Sequence, residues 1–345
     1  MPDAPALSPR LPRLIDTHSH YYGEALFAAL ARRSEVPRVE PGAPRFMVTS
    51  TSRFPLVGGF TGLDARLAWM QSQGIAHQVI TFPGALGPDV LPLAEALPLV
   101  RAVNDELAAV CRASPDRFTA LAGLPLADID ASVAELERVV RNLGLRGAIL
   151  PGNYFLSGPL MRRLDPLLDA ASALGAHLMI HPGHRHDEDL APKRYDDLGM
   201  HRASTLDLHN AISHATVTLI HAGLEQRFPG ATIQIVNLGG AFPMLVERMD
   251  HIVQTRDPGA PRPSGMLGRL CFDMASLGPR ALEIGVKVLG AQRVMFGTDY
   301  PIFDSRVSVD ALAAAEIGED VRQAVAWGNA ARIITASASP ALALA

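Results

Sequence analysis

Hydrophobic residues occur along this 345-residue chain in short runs that alternate with longer segments of mixed polarity. The short apolar runs, bounded by glycine or proline, are typical of buried strands. The longer segments predict helices, such as Leu63–Ser72, the amphipathic Ile129–Leu143 and Leu164–Leu174. Pro98 predicts that the long helix over Leu93–Ser114 starts late or kinks. The predicted strands are Leu14–His20, Gln78–Phe82, Arg117–Leu124, Gly147–Leu150, His177–His181, Thr232–Asn237, Leu270–Asp273 and Val294–Thr298.

Alternation of strands and helices predicts an α/β fold with parallel strands, and eight such units predict one closed (β/α)8 TIM barrel. An open doubly wound sheet is the alternative, weakened because no GxGxxG motif follows a predicted strand. We expect the barrel to span residues 13–336, with a flexible arm at 1–12 and a tail at 337–345. Residues 34–62 are rich in proline and glycine, which predicts a long structureless insertion after the first strand, placed to cover the barrel mouth.

Composition narrows the classes of function. Hydrophobic residues make up 48% and charged residues 19% of the chain, and the net charge of −4 gives no basic surface for nucleic acid. No apolar stretch reaches the length of about 18 residues that a membrane span needs. Cys111 and Cys271 follow no disulfide pattern, and the chain starts without a signal-peptide pattern. We therefore expect a cytoplasmic enzyme with no membrane or nucleic-acid partner.

Polar residues gather at the predicted strand ends, where a barrel of this kind has its active site. His18 and His20 have the i, i+2 spacing that directs both imidazoles to one face of a strand. His181 ends the fifth predicted strand and Asp299 follows the eighth. Three imidazoles and a carboxylate predict a mononuclear metal site, with Asp299 also placed to take the proton of a metal-bound water. Taken singly, Asp299 could be a helix cap and His181 a hydrogen-bonded core residue.

Four segments resemble one family. Asp16-Thr17-His18-Ser19-His20 resembles the DxHxH opening of the amidohydrolase superfamily. Its amidohydrolase-related branch, which includes aminocarboxymuconate-semialdehyde decarboxylase, is similar at Ile180-His181-Pro182, Gly239-Gly240-Ala241-Phe242-Pro243 and Phe296-Gly297-Thr298-Asp299-Tyr300-Pro301. The resemblance implies one divalent metal, zinc first and manganese as the alternative, held by His18, His20, His181 and Asp299. It also implies a decarboxylase, with hydrolases and hydratases as relatives.

Two departures from the family pattern bear on the mechanism. Binuclear relatives carry a bridging lysine at the end of the fourth strand, and the segment Arg146–Asn153 has none, which favours a single metal. Asn237 stands where the decarboxylase branch usually has a histidine. An amide cannot act as a general base near neutral pH. Either Asp299 carries out the proton transfer of that histidine, or the transfer is unnecessary, or it has been lost together with activity.

Substrate-binding residues are less clearly indicated. The resemblance implies an arginine in the insertion near the substrate carboxylate, and Arg53 fits, although Arg45 competes and an exposed loop arginine is the alternative. Tyr21 and Phe82 are candidates to line the site of a planar substrate. Alternatively, Phe82 packs inside the barrel. His184 follows the fifth strand closely enough to reach the mouth, or lies in a solvated loop.

Three functions remain open on the sequence. The first is a metal-dependent decarboxylase of a small aromatic or unsaturated carboxylic acid. The second is a hydrolase that uses water activated by Asp299, and it shares every metal ligand with the first. The third is an inactive ligand-binding barrel. The expected partner is a small-molecule carboxylate, and a homodimer is compatible with the resemblance.

Overall fold

The computed structural model describes residues 13–49, 53–56, 62–188, 195–303 and 306–334. The predicted arm at 1–12 and tail at 337–345 lie outside these residues. Eleven strands are present in the described chain: β1 Leu14–His20, β2 Arg38–Glu40, β3 Arg45–Val48, β4 Arg53–Leu56, β5 Ile75–Thr81, β6 Phe118–Ala122, β7 Gly147–Pro151, β8 His177–His181, β9 Thr232–Ile235, β10 Cys271–Asp273 and β11 Val294–Met295.

Eight of these strands form one parallel sheet in the order β1-β5-β6-β7-β8-β9-β10-β11. Hydrogen bonds from β1 to the residues after β11 join the two ends of this order: the amide of Thr17 donates to the carbonyl of Phe296 at 2.9 Å, and that of His20 to Tyr300 at 2.7 Å. The predicted (β/α)8 TIM barrel is confirmed. Its strands are almost wholly buried, as expected of parallel strands covered on both faces.

Helices follow the barrel strands and pack against them, as the alternating pattern predicts. None of the helices in the described part of the chain is long and apolar enough to cross a membrane. The α-helices are α1 Glu24–Leu30, α2 Leu63–Ser72, α3 Leu93–Ala113, α4 Ile129–Arg141, α5 Gly158–Arg162, α6 Asp165–Leu174, α7 Gly199–His201, α8 Leu208–Ile220, α9 Leu224–Arg227, α10 Phe242–Arg256, α11 Pro279–Leu289, α12 Arg306–Ala314, α13 Glu319–Gln323 and α14 Asn329–Ile334.

Two local predictions are wrong. The insertion after β1 is not structureless in its described part, because β2, β3 and β4 form a three-stranded antiparallel sheet. These strands are three or four residues long, too short for alternation to show in the sequence. The second is the late start of α3, which instead begins at Leu93 and continues through Pro98, while the kink stays a prediction. Pro98 lies in the second turn, where its missing N–H removes the bond to Ala94 and its ring crowds that carbonyl.

Gly147 sets how closely β7 approaches β8. It pairs with His177, and a Cβ built at position 147 would lie 1.9 Å from the His177 carbonyl oxygen. Backbone cannot yield at such a distance without separating the strands, so only glycine fits here. This contact fixes the register that brings His181 to the C-terminal end of β8.

We expect Gly147→Ala to lower the free energy of unfolding by about 1–3 kcal/mol or more, because the new methyl group overlaps strand backbone. Urea denaturation followed by circular dichroism measures the change. Gly259→Ala is the matched control, since a Cβ there has open space and the backbone is not left-handed. Equal stability of the two variants would contradict the close approach of β7 and β8.

Candidate metal centre

Three histidines meet at the C-terminal mouth of the barrel. His18 and His20 lie at the end of β1 and His181 ends β8, and all three are almost completely buried. The ring centroids are 5.4 Å apart for His18 and His20, 5.1 Å for His18 and His181, and 4.7 Å for His20 and His181. The rings meet edge to face, so one nitrogen of each can point toward a common centre.

Asp299 reaches this centre because of the backbone that precedes it. Its amide donates to the carbonyl of His18 at 2.7 Å, and its φ of 60° turns the chain inward immediately after β11. Gly297 allows this approach, since a Cβ there would lie 2.9 Å from that of His18. The Asp299 carboxylate then lies with Oδ1 3.2 Å from His20 Nε2 and 3.6 Å from His18 Nε2.

Hydrogen bonds to the Nδ1 atoms orient the three imidazoles. Nδ1 of His181 lies 2.9 Å from the Pro182 carbonyl and Nδ1 of His18 lies 3.1 Å from Asp273 Oδ1. Carbonyl and carboxylate oxygens only accept, so both rings carry a proton on Nδ1, and Nε2 is the nitrogen that faces the centre. Nδ1 of His20 is 2.8 Å from Thr81 Oγ1, which fits the same tautomer.

The donor atoms fit a metal ion. One ligand atom from each of His18, His20, His181 and Asp299 lies within 4.8 Å of the other three. His18 Nε2 and Asp299 Oδ1 are buried and have no hydrogen-bond partner among the described residues. His20 Nε2 approaches Asp299 Oδ1 at 3.2 Å, but the contact lacks hydrogen-bond geometry. Lone pairs facing one another in a buried site repel unless a cation lies between them, and nitrogen and oxygen donors in this number suit a divalent metal.

The pKa values of His20, His181 and Asp299 favour metal binding at neutral pH. Burial lowers the pKa of His20 and holds that of His181 well below its ordinary value, with neighbouring imidazoles acting in the same direction. Burial also opposes protonation of His18, but Asp273 and Asp299 outweigh it and raise its pKa to about 9, so Nε2 of His18 must give up a proton before it can bind a metal. Burial alone would raise the pKa of Asp299; His18 and His20 reverse this and lower it. Asp299 is therefore ionised at neutral pH.

Asp273, at the end of β10, is an important residue that the sequence reasoning missed. Its Oδ1 accepts from the amides of Asn237 at 3.2 Å and Ala275 at 3.1 Å as well as from His18, and its Oδ2 accepts from Gln234 Nε2 at 2.6 Å. The signal was available, because Asp273 ends a predicted strand on the mouth side. It lies behind a metal-site histidine rather than beside the centre.

Asn237 follows β9 at the mouth but is turned toward the chain after β10. Its side-chain amide donates to the carbonyl of Ala275 at 2.9 Å and to Ser276 Oγ at 3.4 Å. The residue is almost completely buried, and its backbone has a φ of 52°. Its N–H groups thus hold a neighbouring loop, and the side chain does not join the group of His18, His20, His181 and Asp299.

The predicted substrate residues lie in different surroundings. Arg53, on β4, is half-exposed, pairs with Glu40 at 3.0 Å and lies over the Phe46 ring, so a substrate carboxylate would have to replace Glu40. Tyr21 follows His20 directly and its hydroxyl donates to Glu106 at 3.4 Å.

Phe82 and His184 flank the mouth from two loops. Phe82 is completely buried and packs over Gly123, where a Cβ would lie 2.4 Å from its ring. This contact matches the packing alternative. His184 is part-exposed and its Nδ1 lies 3.2 Å from Glu188.

Comparison with known proteins gives the family. The family model described as amidohydrolase matches residues 15–334, and the chain belongs to this family of enzymes. 2-Amino-3-carboxymuconate-6-semialdehyde decarboxylase of Dictyostelium discoideum is 29% identical over 248 residues, which cover 69% of this chain and 66% of the relative. Gamma-resorcylate decarboxylase of Rhodococcus jostii is 27% identical over 286 residues, 78% and 86% of the two chains. The crystal structure of 5-carboxyvanillate decarboxylase from Sphingomonas paucimobilis superposes with a TM-score of 0.74 at 28% identity, covering 93% of this chain and 98% of that one.

We expect Asp273→Asn to weaken metal binding about 10- to 100-fold, because the amide removes the negative charge that holds His18 Nδ1–H. The measurement is a zinc titration of metal-free protein against a competing chelator. Asp257→Asn, an exposed carboxyl at the end of α10, is the control. Unchanged affinity in a stably folded Asp273 variant would mean that this carboxylate does not support the centre.

Proposed function

We propose that this protein is a mononuclear metal-dependent decarboxylase of a small aromatic or unsaturated carboxylic acid. The observation that carries the proposal is the convergence of three imidazole Nε2 atoms and one ionised carboxylate at the barrel mouth. The decarboxylases named above support it, since two of them match most of both chains. Fold alone would not carry it, because one barrel fold hosts many reactions.

We propose His18, His20, His181 and Asp299 as the ligands of one divalent metal, with zinc first and manganese second. Imidazole suits zinc, and an oxygen donor makes manganese an acceptable alternative. Such a metal, when bound, supplies a Lewis acid that orients and polarises a substrate oxygen. The chain supplies the rest: Asp273, Thr81 and the Pro182 carbonyl keep the imidazoles in the required tautomer, and burial excludes bulk water from the centre.

Asp299 is the residue we propose for proton transfer at the centre. Its lowered pKa leaves it ionised in the resting protein, so it starts as a proton acceptor. Asn237 offers no base, and its N–H groups are engaged with Ala275 and Ser276. In the hydrolase Asp299 would therefore accept a proton from the attacking water, and in the decarboxylase it would accept a proton from solvent and pass it to the carbon that loses carbon dioxide.

A metal-dependent hydrolase is the second candidate, and one specific observation favours it. An ionised carboxylate beside the proposed metal ligands can deprotonate water, while the histidine usual in the decarboxylase branch is replaced by Asn237. The two functions differ in product: the decarboxylase releases carbon dioxide, and the hydrolase adds water to a C–N, C–O or C–C bond.

Cellular location and assembly remain proposals. We propose a cytoplasmic protein, because Cys111 and Cys271 are both free thiols in the structure. We propose a homodimer, because Met244, Leu245 and Ile252 of α10 expose apolar side chains to solvent. The proposed partner is a small carboxylic acid.

The experiment that separates the two functions is a substrate panel on protein loaded with zinc or with manganese. We expect release of carbon dioxide from at least one hydroxylated benzoic acid, measured together with loss of the substrate absorbance. Amides, esters and lactones form the second half of the panel. Hydrolysis without carbon dioxide release would favour the hydrolase, and no turnover on either half would favour a ligand-binding barrel.

We expect His181→Ala to lose both bound metal and turnover, the latter by at least about 100-fold, since removal of a ligand should exceed the effect of losing an outer hydrogen-bond partner. Inductively coupled plasma mass spectrometry on the purified protein measures the metal, with about one ion per chain expected in the wild type. The control is His214→Ala, an exposed histidine on α8. Full metal content in the His181 variant would rule out the proposed ligand set.

A further inference from the structure

Asp89 is a second carboxyl group at the mouth that the proposed function does not use. It lies in a short 3₁₀ turn, Pro88–Val90, between β5 and α3. The main chain of this turn is tied down, because the Leu126 amide donates to the Asp89 carbonyl at 3.0 Å. The side chain is completely buried, yet neither carboxyl oxygen has a hydrogen-bond partner among the described residues.

Such a group is uncommon, because burying a polar group without a partner opposes folding. Two other buried carboxyls at this end of the barrel show the usual solution. Asp16 accepts from Thr298 and Gln78, and Asp273 accepts from a histidine, two backbone amides and Gln234. Asp89 has no comparable set, and burial raises its pKa to about 8. Packing of the fold alone does not account for a carboxyl at this position.

The surroundings of Asp89 point toward the proposed active site. Its side chain lines a narrow space with residues from the C-terminal ends of β7 and β8 and from the loop after β5. This space is too small for a water molecule, so solvent does not supply the missing partner. The other lining residues are Gly84, Ile149, Leu150, Pro151, His181 and Pro182.

We propose, on the basis of the proposed function, that Asp89 is a specificity-determining residue whose carboxyl oxygen accepts a hydrogen bond from a ring hydroxyl of the aromatic acid. A hydroxyl supplies the donor that the carboxyl oxygens lack. The carboxylate of the substrate is negatively charged and is directed instead to the proposed metal centre. A site built around a buried polar group discriminates strongly against an analogue that leaves that group unpaired.

Access to Asp89 requires movement of the turn that carries it. Gly84 packs against the carboxyl, where a Cβ would lie 2.9 Å from Oδ2, and Gly87 joins the two halves of the turn with a φ of 85°. A hydroxylated ring reaches the carboxyl by displacing the Gly84–Val90 segment outward. Substrate binding is thus coupled to opening of the space beside His181.

Two variants separate a functional carboxyl from a structural one. Asp89→Leu keeps the approximate shape and removes both oxygens, while Asp89→Asn keeps one acceptor. We expect the midpoint of thermal unfolding of Asp89→Leu to equal or exceed that of the wild type, because an unpartnered buried polar group has been removed. A structural carboxyl would instead give a lower midpoint. Asp64→Leu, an exposed position on α2, is the control.

Ligand discrimination is measured by calorimetry with benzoate and with 2-, 3- and 4-hydroxybenzoate, on metal-loaded and on metal-free protein. For the wild type we expect at least one hydroxybenzoate to bind about 10-fold or more tightly than benzoate, which corresponds to one satisfied buried hydrogen bond. In Asp89→Leu the preference should fall to within about 3-fold, and Asp89→Asn should keep part of it.

The proposal is overturned if wild type binds benzoate as tightly as every hydroxybenzoate, binds none of them, or shows a preference that Asp89→Leu leaves unchanged. A marked loss of stability in Asp89→Leu also overturns it. Failure of the proposed function gives a different result from failure of the Asp89 proposal. A wild type that shows the Asp89-dependent preference but releases no carbon dioxide would keep this residue as a ligand contact and remove the decarboxylase.

Discussion

The hydrogen bonds between β1 and residues 296–300 are the constraint on which both the fold and the site depend. They join the first and last strands of the sheet, which closes the barrel. The same bonds place the Asp299 backbone on the carbonyl of His18, so the carboxylate of the last strand reaches the imidazoles of the first. Thr298 strengthens the junction by donating from its hydroxyl to Asp16 at 2.6 Å and from its amide at 3.0 Å. The hydrogen bonds that close the barrel are therefore the same ones that bring the residues of the proposed metal centre together.

A buried cluster of this kind needs a second layer that satisfies its polar atoms. Asp16 and Asp273 supply it: Asp16 joins β1 to Gln78 of β5 and to Thr298, and Asp273 joins His18 to Gln234 of β9. Each carboxylate has donors on both oxygens, which offsets much of its desolvation. Burial still raises the pKa of Asp16 to about 6 despite these bonds. This layer stabilises the mouth and leaves the Nε2 atoms of the histidines facing the proposed metal centre.

The sequence predicted the parts of this molecule that depend on local pattern. The bounds of β1, β8 and α2 agree with the structure, because a glycine or a proline lies close to both ends of each segment. The convergence of the histidines with Asp299 followed from the rule that strand ends share one mouth. The last strand was predicted as Val294–Thr298 but regular pairing ends at Met295. The left-handed turn at Asp299 depends on contact with His18, which is remote in sequence.

Non-local contacts decided the remainder, and they distinguish two kinds of buried carboxyl that look alike in sequence. Asp273 ends a predicted strand and Asp89 lies in the loop that follows another, and composition gives no reason to separate them. In the structure Asp273 has four donors and Asp89 has none among the described residues. Since folding selects against unpartnered buried groups, those that gather at the mouth of the barrel are candidates for partners that come from outside the fold. His18 Nε2 and Asp299 Oδ1 meet the same criterion. The unsatisfied atoms on both sides of His181 thus delimit the region in which a metal and a substrate complete the polar network.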